Sequence, residues 1–341
     1  MKKMSIIPIL AVLLLTSACE HKELCYNHRE HAHNYYVNVI ADYRYDWEET
    51  YGIDWKTEGA WPDWYMSYDD LRPSKPDGLR VINYSEYANS NIHNIDPDGG
   101  VVNLYEGRND ILFYNNDTEY IVFTHNDTDN GATTRVTTRR RTRSTYIEPE
   151  YANVGEPTMT PPDILYANFY TQYIPEKVAE PVDLKVTLQP LVFTYKVRYE
   201  FAEGLEYVAL ARGALTGMAR SVLMNTGETS ADGATILYDC EVVNYGVRAF
   251  VTSFGIPNFP NDHYPTRGPA KHALNLELLL RNGSMITLNY DVTDQVQAQP
   301  HGGVIVVKDI VVEADAGTQG SGAFDVEVED WGPYEDIDIL L

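Results

Sequence analysis

The sequence predicts an all-β protein of two domains, and three observations carry that prediction. Short runs in which apolar and polar residues alternate recur along most of the chain, as strands with one buried face require. Between them lie clusters rich in Gly, Pro, Asn and Asp, and almost no stretch keeps a helical period. The 341 residues exceed the roughly 100–200 of a typical domain, so two cores are expected.

In chain order, Tyr36–Ile40 is the first strand candidate. Leu79–Tyr84, Val101–Tyr105, Asp110–Tyr114 and Glu119–Phe123 follow, separated by turn sequences such as Asp96-Pro97-Asp98-Gly99-Gly100 and Asn115-Asn116-Asp117. Ile164–Tyr170 and Val182–Leu188 complete the first half. Pro190 then stands before a fresh alternation at Leu191–Tyr199; a proline cannot donate to a ladder, and the domain boundary is placed there. In the second half Tyr207–Leu210, Thr235–Val243, Val247–Phe254, Val304–Val312 and Phe324–Val328 read as strands. Leu274–Leu280 and Met285–Tyr290 flank Asn282-Gly283, which predicts a hairpin closed by a type I′ turn. Residues 211–224 are ambiguous: Ala211, Leu215, Met218 and Val222 fit a helical stripe that Gly213 and Gly217 oppose, so at most one helical turn is expected.

The N-terminus decides where the chain works. Met1-Lys2-Lys3 is a basic start, Ile6 to Leu15 an apolar run, and Thr16-Ser17-Ala18 a small-residue stretch before Cys19, the pattern of a secretory signal. The run is too short for a membrane span, which needs about 20 residues. Leu13 to Cys19 resembles the lipobox of bacterial lipoproteins, where the cysteine is acylated, although Thr16 stands where Leu is usual. The competing reading is plain cleavage near Ala18, leaving Cys19 as a thiol. Several acyl chains would anchor the protein stably where one would not.

Residues 1–18 are thus read as signal peptide and 19–34 as a polar leash. Residues 35–189 form the first domain, 190–331 the second, and 332–341 a tail that either donates a strand or tucks against its own domain. His28, His31 and His33 in the leash read as an incidental solvated cluster, and Asp127-x-Asp129-x-Gly131 as a turn.

Two insertions interrupt the first domain. Tyr43–Leu71 carries Trp47, Trp55, Trp61 and Trp64, candidate ligand-binding aromatics that either stack on sugars or a protein partner, or fold back as a lid. Thr133–Ser144 carries Arg139, Arg140, Arg141 and Arg143 and reads as an exposed loop open to a trypsin-like protease.

With 26 basic and 50 acidic residues the formal charge is −24, and loss of Lys2 and Lys3 with the signal makes it −26. Such acidity argues against nucleic acid and against adhesion to anionic lipid. Cys25 and Cys240 are candidates for one disulfide in an oxidising compartment; a buried free Cys240 is the ordinary alternative. No nucleophile elbow, phosphate loop, dinucleotide fingerprint or zinc-helix motif occurs, so no enzyme activity, metal or cofactor is expected.

The lipobox ending at Cys19, the start Cys19-Glu-His-Lys-Glu-Leu-Cys25-Tyr, Gly99-Gly100-Val101-x-Asn103-Leu104 and Tyr114-Asn115-Asn116-Asp117 are shared with a known group. So are Val186-Thr-Leu-Gln-Pro190 running into Tyr195-Lys-Val-Arg-Tyr199, Leu215-Thr-Gly-Met-Ala219, and the closing Trp331-Gly332. On these residues the chain resembles the FimB-like fimbrial anchor or minor-subunit lipoproteins of Bacteroidales. The resemblance implies two tandem transthyretin-like, Greek-key β-sandwiches and a palmitate-bearing outer-membrane anchor facing outward. It also implies pilin partners joined by strand addition, and a role in adhesion. The alternative is a surface glycan-binding lipoprotein using residues 43–71.

Overall fold

The computed structural model describes residues 35–44, 74–85, 88–124, 134–143, 146–148, 153, 155–259, 271–313 and 334–337. Strands dominate them. The first half holds β1 (Tyr36–Tyr43), β2 (Leu79–Ser85), β3 (Ala88–Ile95), β4 (Gly99–Asn103) and β5 (Asn109–Asn115). Four short strands follow: β6 (Ile121–Thr124), β7 (Arg135–Thr138), β8 (Arg140–Thr142) and β9 (Thr158–Met159). Then come β10 (Tyr166–Tyr173) and β11 (Val182–Pro190). The second half holds β12 (Phe193–Glu203), β13 (Val208–Ala219), β14 (Ser221–Leu223), β15 (Gly233–Val243) and β16 (Gly246–Ser253). It continues with β17 (Ala273–Leu280), β18 (Met285–Asp291), the single-turn helix α1 (Thr293–Ala298), β19 (Gly303–Val311) and β20 (Glu335–Ile337).

The first sheet runs β3-β2-β5-β10-β11-β1-β4 and folds over where β10 and β11 pair at only two positions. Between its layers sit Val37, Val39, Leu79, Val81, Ile111, Phe113, Leu184, Val186 and Leu188. The alternation read in β2 and β11 is what puts these side chains on one face. The second sheet runs β18-β17-β13-β15-β16-β12-β19 and encloses a core that includes Tyr195, Val197, Leu215, Ile236, Leu276, Leu278 and Ile305. Thus the all-β class and the tandem sandwiches are as the sequence predicts. Each sandwich also places its opening strand in the same setting: β1 lies between parallel β11 and antiparallel β4, and β12 between parallel β19 and antiparallel β16.

One ambiguity is resolved and one expectation corrected. Residues 211–224 are not helical; Val208–Ala219 is one long strand paired with both β15 and β17. Ala211 and Leu215 face the core as alternation requires, and a register shift between Leu215 and Met218 turns Met218 to the same face, which imitates helical spacing. Gly213 serves close approach: a Cβ there would lie 2.3 Å from the Tyr238 ring. The Asn282-Gly283 hairpin joins β17 to β18 as expected, but with a three-residue loop. Gly283 N–H donates to Leu280 O, Leu280 N–H to Ser284 O, and only Gly283 has positive φ, so the turn is type I followed by a bulge.

A third sheet, β14-β7-β6, links the halves, since β14 comes from the second and β6 and β7 from the first. Around it Ile82, Leu112, Tyr114 and Leu165 meet Val136, Val222, Met224 and Phe254 in one cluster. The junction residues Leu191 and Val192 are part of it, and Leu191 N–H donates to Leu165 O at 2.8 Å. Beside it one oxygen of Asp163 accepts the N–H groups of Glu119 (2.8 Å), Tyr120 (2.5 Å) and Ile121 (3.2 Å), which fixes the approach to β6.

His272, fully buried between Thr216, Thr293 and Asp291, has its pKa lowered by burial to about 4 from 6.5. Between those values the unfolded chain binds the proton and the folded one does not. Stability is therefore complete above about pH 6.5 and falls toward pH 4, by about 3 kcal/mol from this group. Urea unfolding at pH 7 and pH 4.5 should give a smaller loss in His272→Gln than in the parent; an equal loss would contradict the assignment.

Candidate functional site

A cluster of buried charged and polar side chains lies on the outer face of β13, β15 and β17. Leu274, Leu276, Leu278 and Leu280 point inward, so Asn275 and Glu277 point outward, opposite Ala214 and Arg212 on β13. Simple alternation would leave that face in water. Instead Glu277 is fully buried, with Arg143, just after β8, lying against it.

Arg143 provides this cover. Its side chain is 3 % exposed, and Nη2 sits 3.3 Å from Glu277 Oε1. The guanidinium also donates to Asn275 Oδ1 (3.1 Å) and Gly213 O (3.2 Å). On the other side Arg212 Nε donates to Glu277 Oε2 at 2.8 Å. One buried carboxylate is thus held between two guanidiniums from distant parts of the chain.

Glu156 makes a second attachment. Its carboxylate accepts Gly217 N–H (2.9 Å), the Thr235 hydroxyl (3.1 Å) and the Asn153 amide (2.7 Å). Burial pushes its pKa up against these hydrogen bonds. β9 then pairs in parallel with β15, and β8 is paired by β9 and β20.

β20 brings the tail onto this cover. Glu335, Asp336 and Ile337 run antiparallel to Thr142, Arg141 and Arg140. Tyr334, just before, donates to Asp239 Oδ1 at 2.7 Å, and the Arg141 guanidinium lies 4.4 Å from its ring centre. Burial, with Asp239 beside it, holds the Tyr334 phenol protonated far above its usual range. Residues 338–341, the rest of the tail, lie outside the described residues.

The arginine run is therefore paired as strand rather than a free loop, with Arg140 exposed, Arg139 and Arg141 half-buried and the Arg143 side chain buried. Arg139 lies between β7 and β8, Arg140 and Arg141 are in β8, and Arg143 is in the buried ion cluster. The apolar period was missing because only Val136 of the run faces a hydrophobic cluster; its partners are ladders and carboxylates. Sequence reasoning missed Glu277, Arg212 and Glu156 altogether. The available signal was the pair Asn275 and Glu277 on a strand otherwise all Leu.

Cys240 sits in β15 opposite Ala211, with burial pushing its thiol up; its suggested partner Cys25 lies outside the described residues. So do Cys19, Trp47, Trp55, Trp61 and Trp64. At the seam between the sandwiches a cavity of about 290 Å³ is lined by Asn168 and Phe169 on one side and Phe193, Met224 and Asn225 on the other. Among the described residues no group of acidic, His and Cys side chains is placed to hold a metal, and no helix is long and apolar enough to cross a membrane.

Comparison with known proteins gives related sequences and folds. The family model described as "Domain of unknown function (DUF5119)" matches residues 63–239. Fim4B of Bacteroides ovatus, described as a candidate fimbrium anchoring subunit, is 23% identical over 312 residues, covering 80% of this chain and 88% of that protein. The crystal structure of a candidate adhesin from B. ovatus superposes with a TM-score of 0.54 at 20% identity, covering 83% of this chain and 91% of that one. The fimbrial anchor Mfa2 of Porphyromonas gingivalis gives a TM-score of 0.42 at 12% identity, covering 80% and 90%.

Removing one partner from a buried ion pair costs about 3–5 kcal/mol. Since Arg212 remains beside Glu277, Arg143→Met should lower unfolding free energy by about 3 kcal/mol, measured by urea titration; a change below about 1 kcal/mol would mean that the cluster carries no such weight. Native trypsin digestion, followed by mass spectrometry, should spare the bonds after Arg140, Arg141 and Arg143 in the parent and cut after Arg140 and Arg141 in the variant, in which position 143 no longer offers a site.

Proposed function

The chain belongs to the DUF5119 family, and on that premise we propose that it is a non-enzymatic, lipid-anchored fimbrial subunit of the outer membrane. It holds or terminates a pilus and serves adhesion. The observation that carries this reading is the match to Fim4B along 80% of the chain and 88% of that protein, which leaves little of either unaccounted for. The Leu13–Cys19 pattern supplies the anchor: acylated Cys19 would tether the body through the polar residues 20–34.

Pilin partners would join by strand addition. An open sheet edge offers unpaired N–H and C=O groups to an incoming strand. Among the described residues β18 ends the second sheet in this way, paired on one side by β17, with Met285 and Asn289 exposed along it. Its inward residues Ile286, Leu288 and Tyr290 already pack on the core, so a donor would add hydrogen bonds without reopening the sandwich.

Cell fractionation tests the anchor. Cys19→Ser should move the protein from the membrane to the soluble fraction, and retention in the membrane would count against lipidation. For the partners, pilin subunits should co-purify with the detergent-extracted parent. Their absence, with fimbriae unchanged in a deletion strain, would refute the fimbrial role.

A further inference from the structure

We propose that each sandwich is a mechanical clamp that bears tension in shear, a role that rests on the tether proposed above for the source of the load and on sheet topology for how it is borne. In the first sandwich β1 pairs in parallel with β11 at seven consecutive positions, from Val37 with Val182 to Tyr43 with Leu188, without a slip. Five positions of β4 hold its other side. Arg44 N–H to Leu188 O (2.9 Å) extends the β11 side, and Ala41 N–H to Asp98 O (3.0 Å) extends the β4 side.

The chain enters β1 at the Tyr36 end, and it leaves β11 for the second sandwich at Pro190, beside the Tyr43 end. A pull on the N-terminal side draws β1 back toward its own start. Resistance from the second sandwich draws β11 forward. These forces act along the strands at opposite ends of one ladder, so its hydrogen bonds share the load and no single bond forms an opening front. Slip would also drag Val37, Val39 and Tyr43 through the core past Leu184, Val186 and Leu188.

The junction passes the load on. Leu191 and Val192 are 4% and 1% exposed, packed in the shared cluster, so no free linker intervenes. The second sandwich repeats the arrangement. β12 is paired in parallel by β19 from Tyr195 with Gly303 to Glu203 with Val311, backed by β16 at eight positions, and Val312 N–H closes the far end on Glu203 O. Tension between the N-terminus and the residues after β19 therefore meets two shear ladders in series. A pull between the N-terminus and the start of β11 would instead peel β1 away bond by bond.

Single-molecule force spectroscopy on the full mature chain separates these cases. One handle is placed at the N-terminus and the other at exposed Glu313 or exposed Glu180. The first rupture force should be several-fold higher with Glu313 than with Glu180 at equal loading rate; equal forces would overturn the clamp. Ile40→Pro withdraws an N–H that alternation directs at β11, while the Ile40 side chain is 39% exposed. It should lower the Glu313 force by more than the Glu180 force, and an unchanged Glu313 force would also overturn the clamp. The comparison in the parent needs no variant to fold. Equal forces with Cys19-dependent membrane attachment would remove the clamp and leave the tether, whereas direction-dependent forces without that attachment would do the reverse.

Discussion

Two sandwiches joined by a peptide could move independently, and the constraint that prevents it here is a shared hydrophobic cluster. Ile82, Leu112 and Leu165 from the first half are covered by Met224 and Phe254 from the second, and Leu191 and Val192 join the same cluster. Apolar surface removed from water contributes about 25 cal/mol per Å², so separating the halves would expose the linker and both faces at once. The three-stranded sheet adds directional hydrogen bonds to that non-directional term. Rigid placement of the Arg143 segment follows, because β7 is fixed at the seam only a few residues before β8 crosses the second sheet.

The polar site on that sheet is expensive to maintain. A carboxylate as deeply buried as Glu277 is stable only with its charge matched, and Arg143 and Arg212 match it from different elements. Hydrophobic residues in the same places would pack as well, so what the ion cluster adds is register: Arg143 fits where Glu277, Asn275 and Gly213 O converge. Glu156 does the same for the next part of the cover through three donors. Together they fix where β8 lies and hence where the tail can pair.

Much of the fold was legible in the sequence because burial on one face writes itself as alternation, as in Val182–Leu188 and Leu274–Leu280. Where a strand carries a bulge the rule fails, and Ala211, Leu215 and Met218 then look helical. It fails again where neither face is apolar. β3, Ala-Asn-Ser-Asn-Ile-His-Asn-Ile, is held to β2 mainly by backbone pairing, with Ile95 at its end packed against the core. The arginine run misled for a related reason: a charge count reports affinity for water, whereas its burial depends on Glu277, more than a hundred residues away. Of the candidate site, Glu277, Arg212 and Glu156 gain meaning only from long-range contact.

The crossing of β7 to β9 onto the second sheet also bears on how the molecule is made. These strands are synthesised before β13, β14, β15 and β17, the elements they pair with or cover. The first half must therefore emerge with its seam residues and Arg143 still waiting for partners, and it can reach its final structure only after the hairpin of β17 and β18 has followed. Non-local pairing of this kind slows folding and prolongs exposure of strand edges. A chain wired this way behaves as one biosynthetic unit, so neither sandwich is a module that recombination could move alone without leaving Glu277 uncovered.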